Sequence, residues 1–257
     1  MAWWWQGLAA GSRTTAYPAR AEAAPGVSPG LPVRTAMGSE QAAALAANCP
    51  PGALIAVQDG VEVLPERCIH CMRCVHNDPP MDWAAGSQWG RLLPGRTPLP
   101  SAFSRSVNIR VIDAGDCGAC LAEVARLNNP YYNMHRLGFF LTPTPRQADI
   151  LIVVGSPTEA MRVPLRKTFE AMPEPKRVIA VGACALEGGI FGPSFAVARM
   201  VADVLPVDVV VPGNPPPPLA VLHGILVATG RLPAAAAGPG GLGAEVQPSN
   251  PRSEVAG

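Results

Sequence analysis

Cys68, Cys71 and Cys74, in the stretch CIHCMRCVHNDPP, put three soft sulfur donors into one short loop. Thiolates at this spacing suit an iron–sulfur cube or a zinc ion, and either needs a fourth ligand. The bacterial iron–sulfur run continues with a Cys-Pro four residues after its third cysteine. Here that place is Asp78, followed by Pro79. Upstream, NCPPGALIAVQDG carries a Cys-Pro at Cys49-Pro50. In a two-cluster run each set of three takes its fourth ligand from the Cys-Pro of the other run. Cys49 is therefore the expected partner of Cys68, Cys71 and Cys74. Counting back from Cys49 by four, seven and ten residues gives Leu45, Ala42 and Ser39. Every loss, Asp78 included, belongs to one cluster, and the other keeps all its ligands.

The segment CPPGAL is similar to the CP-x-GAL signature of ferredoxins, and residues 41–80 resemble a degenerate ferredoxin-like 4Fe–4S module. Within it, GALIAVQDGVEVL reads as two short strands joined at Asp59-Gly60, a hairpin dipeptide. Zinc is the competing reading. Structural zinc sites use paired C-x-x-C knuckles far apart in sequence, whereas cysteines at successive threes with a remote Cys-Pro fit a cube better. His70 and His76 are read as solvent-facing and receive no role. A module of this size buries too little to fold alone, so metal binding is expected to hold it together.

A second thiol set stands at Cys117 and Cys120, in VIDAGDCGAC, and at Cys184, in VIAVGAC. The segments NIRVIDAG, ADILIVVG, RVIAVGA and VDVVVPG are short Val/Ile runs ending in glycine, the pattern of parallel strands covered on both faces. Helical patterns follow them: LAEVARL, PLRKTFEAM, SFAVARMVADVL and PPPPLAVLHGILVATG. Such alternation predicts an α/β fold, a flavodoxin-like open parallel sheet with helices on both faces, preceded by a small α+β module. Loops leaving the carboxyl ends of parallel strands share one edge, so these three thiols converge there. Buried structural cysteines are the alternative; a C-x-x-C with a third thiol at the same edge favours a cluster.

Residues 107–232 resemble the small, cluster-bearing subunit of energy-converting NiFe hydrogenases, formate hydrogenlyase included, and the related B subunit of NADH:quinone oxidoreductase. The matching segments are DCGACLAE, ADILIVVGS, PEPKRVIAVGACALEGGIFG and PVDVVVPGNPP. The resemblance implies a second cluster on Cys117, Cys120 and Cys184, an acidic residue at Glu123, and electron exchange with a large partner subunit. It also exposes a departure. The family has cysteine after PG, in PGCPPRPE; this chain reads PGNPPPPL, with Asn214, Pro217 and Leu219 at the altered places. An amide is a poor iron ligand beside thiolates. The edge site is open to three readings: a working cluster of altered potential, a site completed by a partner or small ligand, or a vestige.

The chain has 257 residues with 20 basic and 19 acidic side chains, a balance that gives no long-range field for nucleic acid or a membrane surface. Its 48% apolar content supports one ordinary core plus a smaller module. Seven cysteines in clustered spacings argue for metal rather than disulfides. No apolar run of transmembrane length and no signal-peptide order stand in the sequence, so a cytoplasmic chain is expected, peripheral on the inner membrane through its complex. The expected divisions are a 1–40 tail, the 41–80 module, an 81–106 linker, the 107–232 sheet domain and a disordered 233–257 tail. Trp3, Trp4 and Trp5 read either as plain tail or as an aromatic anchor for a partner or a lipid interface. The expected function is iron–sulfur electron transfer within a hydrogenase or NADH:quinone oxidoreductase-like complex, beside a large subunit and, indirectly, membrane subunits. A structural docking subunit and a zinc-binding regulator are the alternatives.

Overall fold

The computed structural model describes residues 3–22, 26–78 and 80–234. Its first part holds helix α1 (Trp3–Ala10), strand β1 (Leu31–Pro32), helix α2 (Ser39–Ala47) and strands β2 (Leu54–Val57), β3 (Gly60–Val63), β4 (Trp83–Ala84) and β5 (Arg91–Leu92). The second runs β6 (Val107–Asp113), α3 (Ala119–Arg126), β7 (Phe139–Leu141), β8 (Ile150–Val154), α4 (Glu159–Ala171), β9 (Arg177–Val181), α5 (Ala183–Glu187), β10 (Val209–Val211) and α6 (Pro218–Ala228).

One mainly parallel sheet of six strands dominates, in the order β5-β10-β9-β8-β6-β7, with only β5 antiparallel. Its five parallel strands, taken in chain order, stand as 2-1-3-4-5, the arrangement of flavodoxin-type sheets. Every side chain of β8 is buried, which is why this strand reads as an unbroken apolar run. Along it Ile150, Ile152 and Val154 face one core, shared with α3 and α6, while Leu151 and Val153 face the other, shared with α4 and α5. Strand β7 escaped the sequence reading. It has three residues, two of them exposed, and no alternation to reveal it.

Two expected elements differ. SFAVARMVADVL forms no α-helix: it holds one 3-10 turn at Val201–Asp203, and Val197 instead makes a bridge to Thr158. Gly192-Pro193 stand at its head and Phe195 is fully exposed, so no apolar stripe is available to dock a helix there. In the hairpin, Val57 pairs with Gly60, so the turn is Gln58-Asp59, one residue earlier than expected, and Gly60 opens β3.

The segment expected to be a linker is part of the main fold. Arg91 and Leu92 pair with Val210 and Val209, and the Leu99 amide donates to the Ala228 carbonyl at 2.7 Å. Gly90 crosses α6 so closely that a Cβ there would stand 2.7 Å from the Gly224 Cα. All eleven residues of α6 are buried, as a helix apolar on every side requires. The expected N-terminal tail also joins the body. Tyr17 is buried in the main core, and β1 pairs with β4. Of the expected C-terminal tail, residues 235–257 lie outside the described residues.

Candidate metal centres

Cys49, Cys68, Cys71 and Cys74 line one pocket, walled also by Leu45, Pro50, Pro51, Ile69 and Trp83. Cys49 arrives at the end of α2, where the Asn48 amide closes the last turn on the Ala44 carbonyl. The other three come from the loop after β3. There His70 (φ 54°) and Met72 (φ 60°) take left-handed backbone on either side of Cys71, and Arg73 starts a 3-10 turn. A left-handed residue followed by a right-handed one makes a concave nest of amide groups, the backbone form found at many iron–sulfur sites.

Burial pushes the Cys68 thiol up to about 11, and the neighbouring Cys74, Cys49 and Cys71 add to the rise. Cys74 is raised too, again mainly by burial. Burial thus favours the neutral thiol at Cys68 and Cys74, and a bound metal group would remove that penalty by taking them as thiolates. The donor set fits an iron–sulfur cube. Among the described residues no three Cys, His, Asp or Glu side chains are grouped so as to hold a single metal ion.

The positions where the lost ligands would stand have other work. Ala42 and Leu45 are buried and form, with Leu54, Val61 and Val63, the small core of the module. Asp78 lies outside the thiol pocket, in a shallow depression with Glu40, Leu45 and Asn48. At Ala42 and Leu45, two of the places where a second cube would need sulfur, the chain has apolar packing.

The sheet edge is built by the loops after β6, β8, β9 and β10. Asp113 accepts the amides of Gly115 and Asp116 at 2.8 and 2.6 Å. Asp116 in turn accepts those of Gly118 and Leu121 at 2.9 and 3.0 Å, fixing the loop that carries Cys117 and Cys120. Cys117 is exposed, Cys120 buried and Cys184 intermediate. Burial raises Cys120, helped by the charge of Asp116 and by Cys184 and Cys117; burial also raises Cys184, with Cys117 next. These three thiols are thus mutual neighbours, as the topology predicts. At Gly182 (φ 93°) a Cβ would stand 2.5 Å from the Cys120 sulfur, so only glycine lets β9 end against it.

Asn214, after β10, supplies no sulfur and points elsewhere: its side-chain amide donates to the Ile69 carbonyl at 3.5 Å. The donor set at this edge is three thiols, short of the four that a cube takes from cysteine. Glu123 pairs with Arg126 at 2.6 Å within α3.

The two thiol sets are neighbours. Besides the Asn214–Ile69 contact, Arg67, directly before Cys68, lies 3.7 Å from Glu187 at the end of α5, and Glu187 also pairs with Arg199 at 2.6 Å. Glu66 forms a buried ion pair with Arg91 of β5. The sequence reading missed these clamps because ion pairs between remote segments leave no local pattern. It also misread His70. That ring is half-buried, stacks on Trp89 at 5.7 Å and meets the Gly30 carbonyl at 3.2 Å, holding the cysteine loop down. His76 is exposed, as expected.

A flavodoxin-type sheet with three cysteines at its carboxyl edge, joined to a four-cysteine pocket, makes this an α/β protein with two sets of free thiols. The family model described as NADH ubiquinone oxidoreductase, 20 Kd subunit, matches residues 117–228. Formate hydrogenlyase subunit 7 of Escherichia coli (strain K12) is 38% identical over 134 residues, 52% of this chain and 52% of that protein. Uncharacterized protein MJ1363 of Methanocaldococcus jannaschii is 42% identical over 139 residues, 51% of this chain and 92% of that protein. The chain belongs to the family of the NADH:ubiquinone oxidoreductase 20 kDa subunit, and it spans about half the length of formate hydrogenlyase subunit 7. Among solved structures, a chain of the membrane-bound sulfane sulfur reductase, an archaeal respiratory membrane complex, aligns with a TM-score of 0.44 and 30% identity, covering 50% of this chain and 74% of that one. A chain of an NAD+-reducing [NiFe]-hydrogenase aligns with a TM-score of 0.37 and 18% identity, covering 46% and 88%.

Proposed function

We propose that this chain is an iron–sulfur electron-transfer subunit of a hydrogenase or NADH:quinone oxidoreductase-like complex. The observation that carries the reading is the single pocket lined by Cys49, Cys68, Cys71 and Cys74, joined to a sheet edge bearing Cys117, Cys120 and Cys184. The first set would hold a 4Fe–4S cube in a ferredoxin-like module spanning residues 41–80. A bound cube supplies single-electron transfer. The chain's own part is to bury Cys68, line the pocket with proline and tryptophan walls, and clamp the cysteine loop against the sheet through Arg67 and Glu66.

A large hydrogenase or quinone-oxidoreductase-type subunit is the partner this reading requires. The segment after α5 favours it: Ile190, Phe191 and Phe195 are 62%, 71% and 100% exposed, just beyond Cys184. Exposed apolar side chains concentrated in one short segment fit an interaction surface. The place in the cell is then peripheral, on the cytoplasmic face of the inner membrane, through the complex. Among the described residues no helix is long and apolar enough to cross a membrane.

A second reading rests on Asn214. With its amide turned to Ile69, the edge site lacks a fourth soft ligand, and the chain would serve as a docking subunit that keeps only the module cube. Iron and sulfide counting on anaerobically purified protein separates the readings. About eight irons per chain means two cubes, and about four means the module cube alone. Zinc without sulfide would overturn both.

A further inference from the structure

We infer that helix α1 is a lipid-interface anchor, seating the chain directly on an anionic membrane surface. Its sequence is WWWQGLAA, and none of its residues is buried. Trp3, Trp4, Trp5 and Leu8 are 84%, 48%, 58% and 70% exposed. Among the described residues, the ring contact of this triplet is internal, Trp4 stacking on Trp5 at 5.0 Å. This is the densest exposed aromatic surface among the described residues, and the electron-transfer reading makes no use of it.

The arrangement of the rings selects the occupant. A protein groove takes a helix by one stripe, with anchors at i, i+3 or i+4, and i+7. Here the bulky side chains are consecutive, so at about 100° per residue they spread over more than half of the circumference. No single groove covers all three. A lipid–water interface surrounds an inserted helix, and tryptophan, apolar in body with one N–H donor, concentrates at that depth. The charges agree. From the start of the sequence to Ala21 the charged side chains are Arg13 and Arg20, with the first acid at Glu22, a sign that complements anionic headgroups. Two further neutral residues, Gly11 and Ser12, separate the helix from Arg13, so this guanidinium can stay clear of the apolar layer.

The tether is short. Thr14 and Thr15 are fixed to the loop after α3, through the Pro130 and Tyr131 carbonyls at 2.9 Å each, and Tyr17 is buried. That loop lies at the opposite end of α3 from Cys120. The anchor therefore leaves the cysteine edge free for a partner subunit.

The test is co-sedimentation of the full, anaerobically purified chain with vesicles of phosphatidylcholine plus phosphatidylglycerol, and with phosphatidylcholine alone. The wild type should bind the anionic vesicles with a blue shift in tryptophan emission. Replacing Trp3, Trp4 and Trp5 together by serine should weaken that binding by about tenfold or more. Because α1 buries nothing, the thermal melt of this variant should match the wild type. Arg13→Gln with Arg20→Gln should weaken binding to the anionic vesicles alone. No vesicle binding by the wild type, or equal binding by the serine variant, overturns the inference. So does a wild-type dimer in gel filtration that the serine variant lacks, since that would put a second copy on the helix.

Discussion

The side-chain amide of Asn214 reaches the backbone carbonyl of Ile69, 145 residues earlier in the chain, at 3.5 Å. The position where the resemblance leads one to expect a cysteine is therefore turned toward the loop that carries Cys68 and Cys71. A contact this long is weak, so a smaller side chain at Asn214 should cost the fold little. Asn214→Cys then tests the edge site itself. With Cys117, Cys120 and Cys184 as neighbours, the new thiol should raise iron by about four per chain if the edge is empty, or by about one if it holds a three-iron cluster. Low native iron with no gain would remove the edge as a cluster site.

Cys49→Ala should abolish or convert the EPR signal of the module cube, while Asp78→Ala should leave it unchanged. Cys49 lines the thiol pocket, and Asp78 lines a different depression. Loss of the signal in Asp78→Ala alone would mean that the ligand assignment from the Cys-Pro pattern is wrong.

The strands were legible wherever burial is two-sided. The runs NIRVIDAG, ADILIVVG, RVIAVGA and VDVVVPG mark β6, β8, β9 and β10, because strands covered on both faces spell out their burial in Val and Ile. Strands β5 and β7 were not legible: their two and three residues carry no period, and their neighbours in space define them. The neighbourhood of Cys117, Cys120 and Cys184 followed from topology alone. What local sequence hides is docking. That Arg67, Glu66 and Asn214 bring two cysteine sets side by side depends on partners 120, 25 and 145 residues away.

Glu66 and Arg91 join the module to the sheet through a buried ion pair, their side chains 2% and 12% exposed. Removing one partner strands a charge away from water. Glu66→Ala should destabilise the chain by about 3 kcal/mol in a denaturant melt, and Glu66→Leu with Arg91→Met should recover most of that loss. An unchanged midpoint in Glu66→Ala would show that the pair contributes nothing to holding the two parts together.

Gly182→Ala forces a new methyl against the Cys120 sulfur, at 2.5 Å, on backbone at φ 93°. Either β9 withdraws or the thiol moves. Destabilisation of about 1–3 kcal/mol is expected, as for overpacked cores, with any iron bound at the edge lost while the module cube signal persists. Loss of both signals together would mean that the sheet edge and the module pocket unfold as one unit.

His223 gives the chain a pH dependence. It lies on α6, 2% exposed, and its Nδ1 accepts the Gly90 amide at 2.9 Å. Burial holds its pKa below the usual histidine range, partly offset by a hydrogen bond to the Pro233 carbonyl. The ring is neutral in the folded chain, whereas the unfolded chain protonates it near pH 6.5. Between those two values the unfolded state binds more protons, so stability is full above about pH 6.5 and falls as the pH drops toward the folded pKa. His70, also lowered by burial, acts in the same direction. Thermal melts should therefore show a midpoint that declines from about pH 7 to about pH 5.5. His223→Gln keeps an acceptor for Gly90 but cannot titrate, and it should flatten part of that decline. The same slope in wild type and variant would mean that burial does not lower the His223 pKa below its unfolded value.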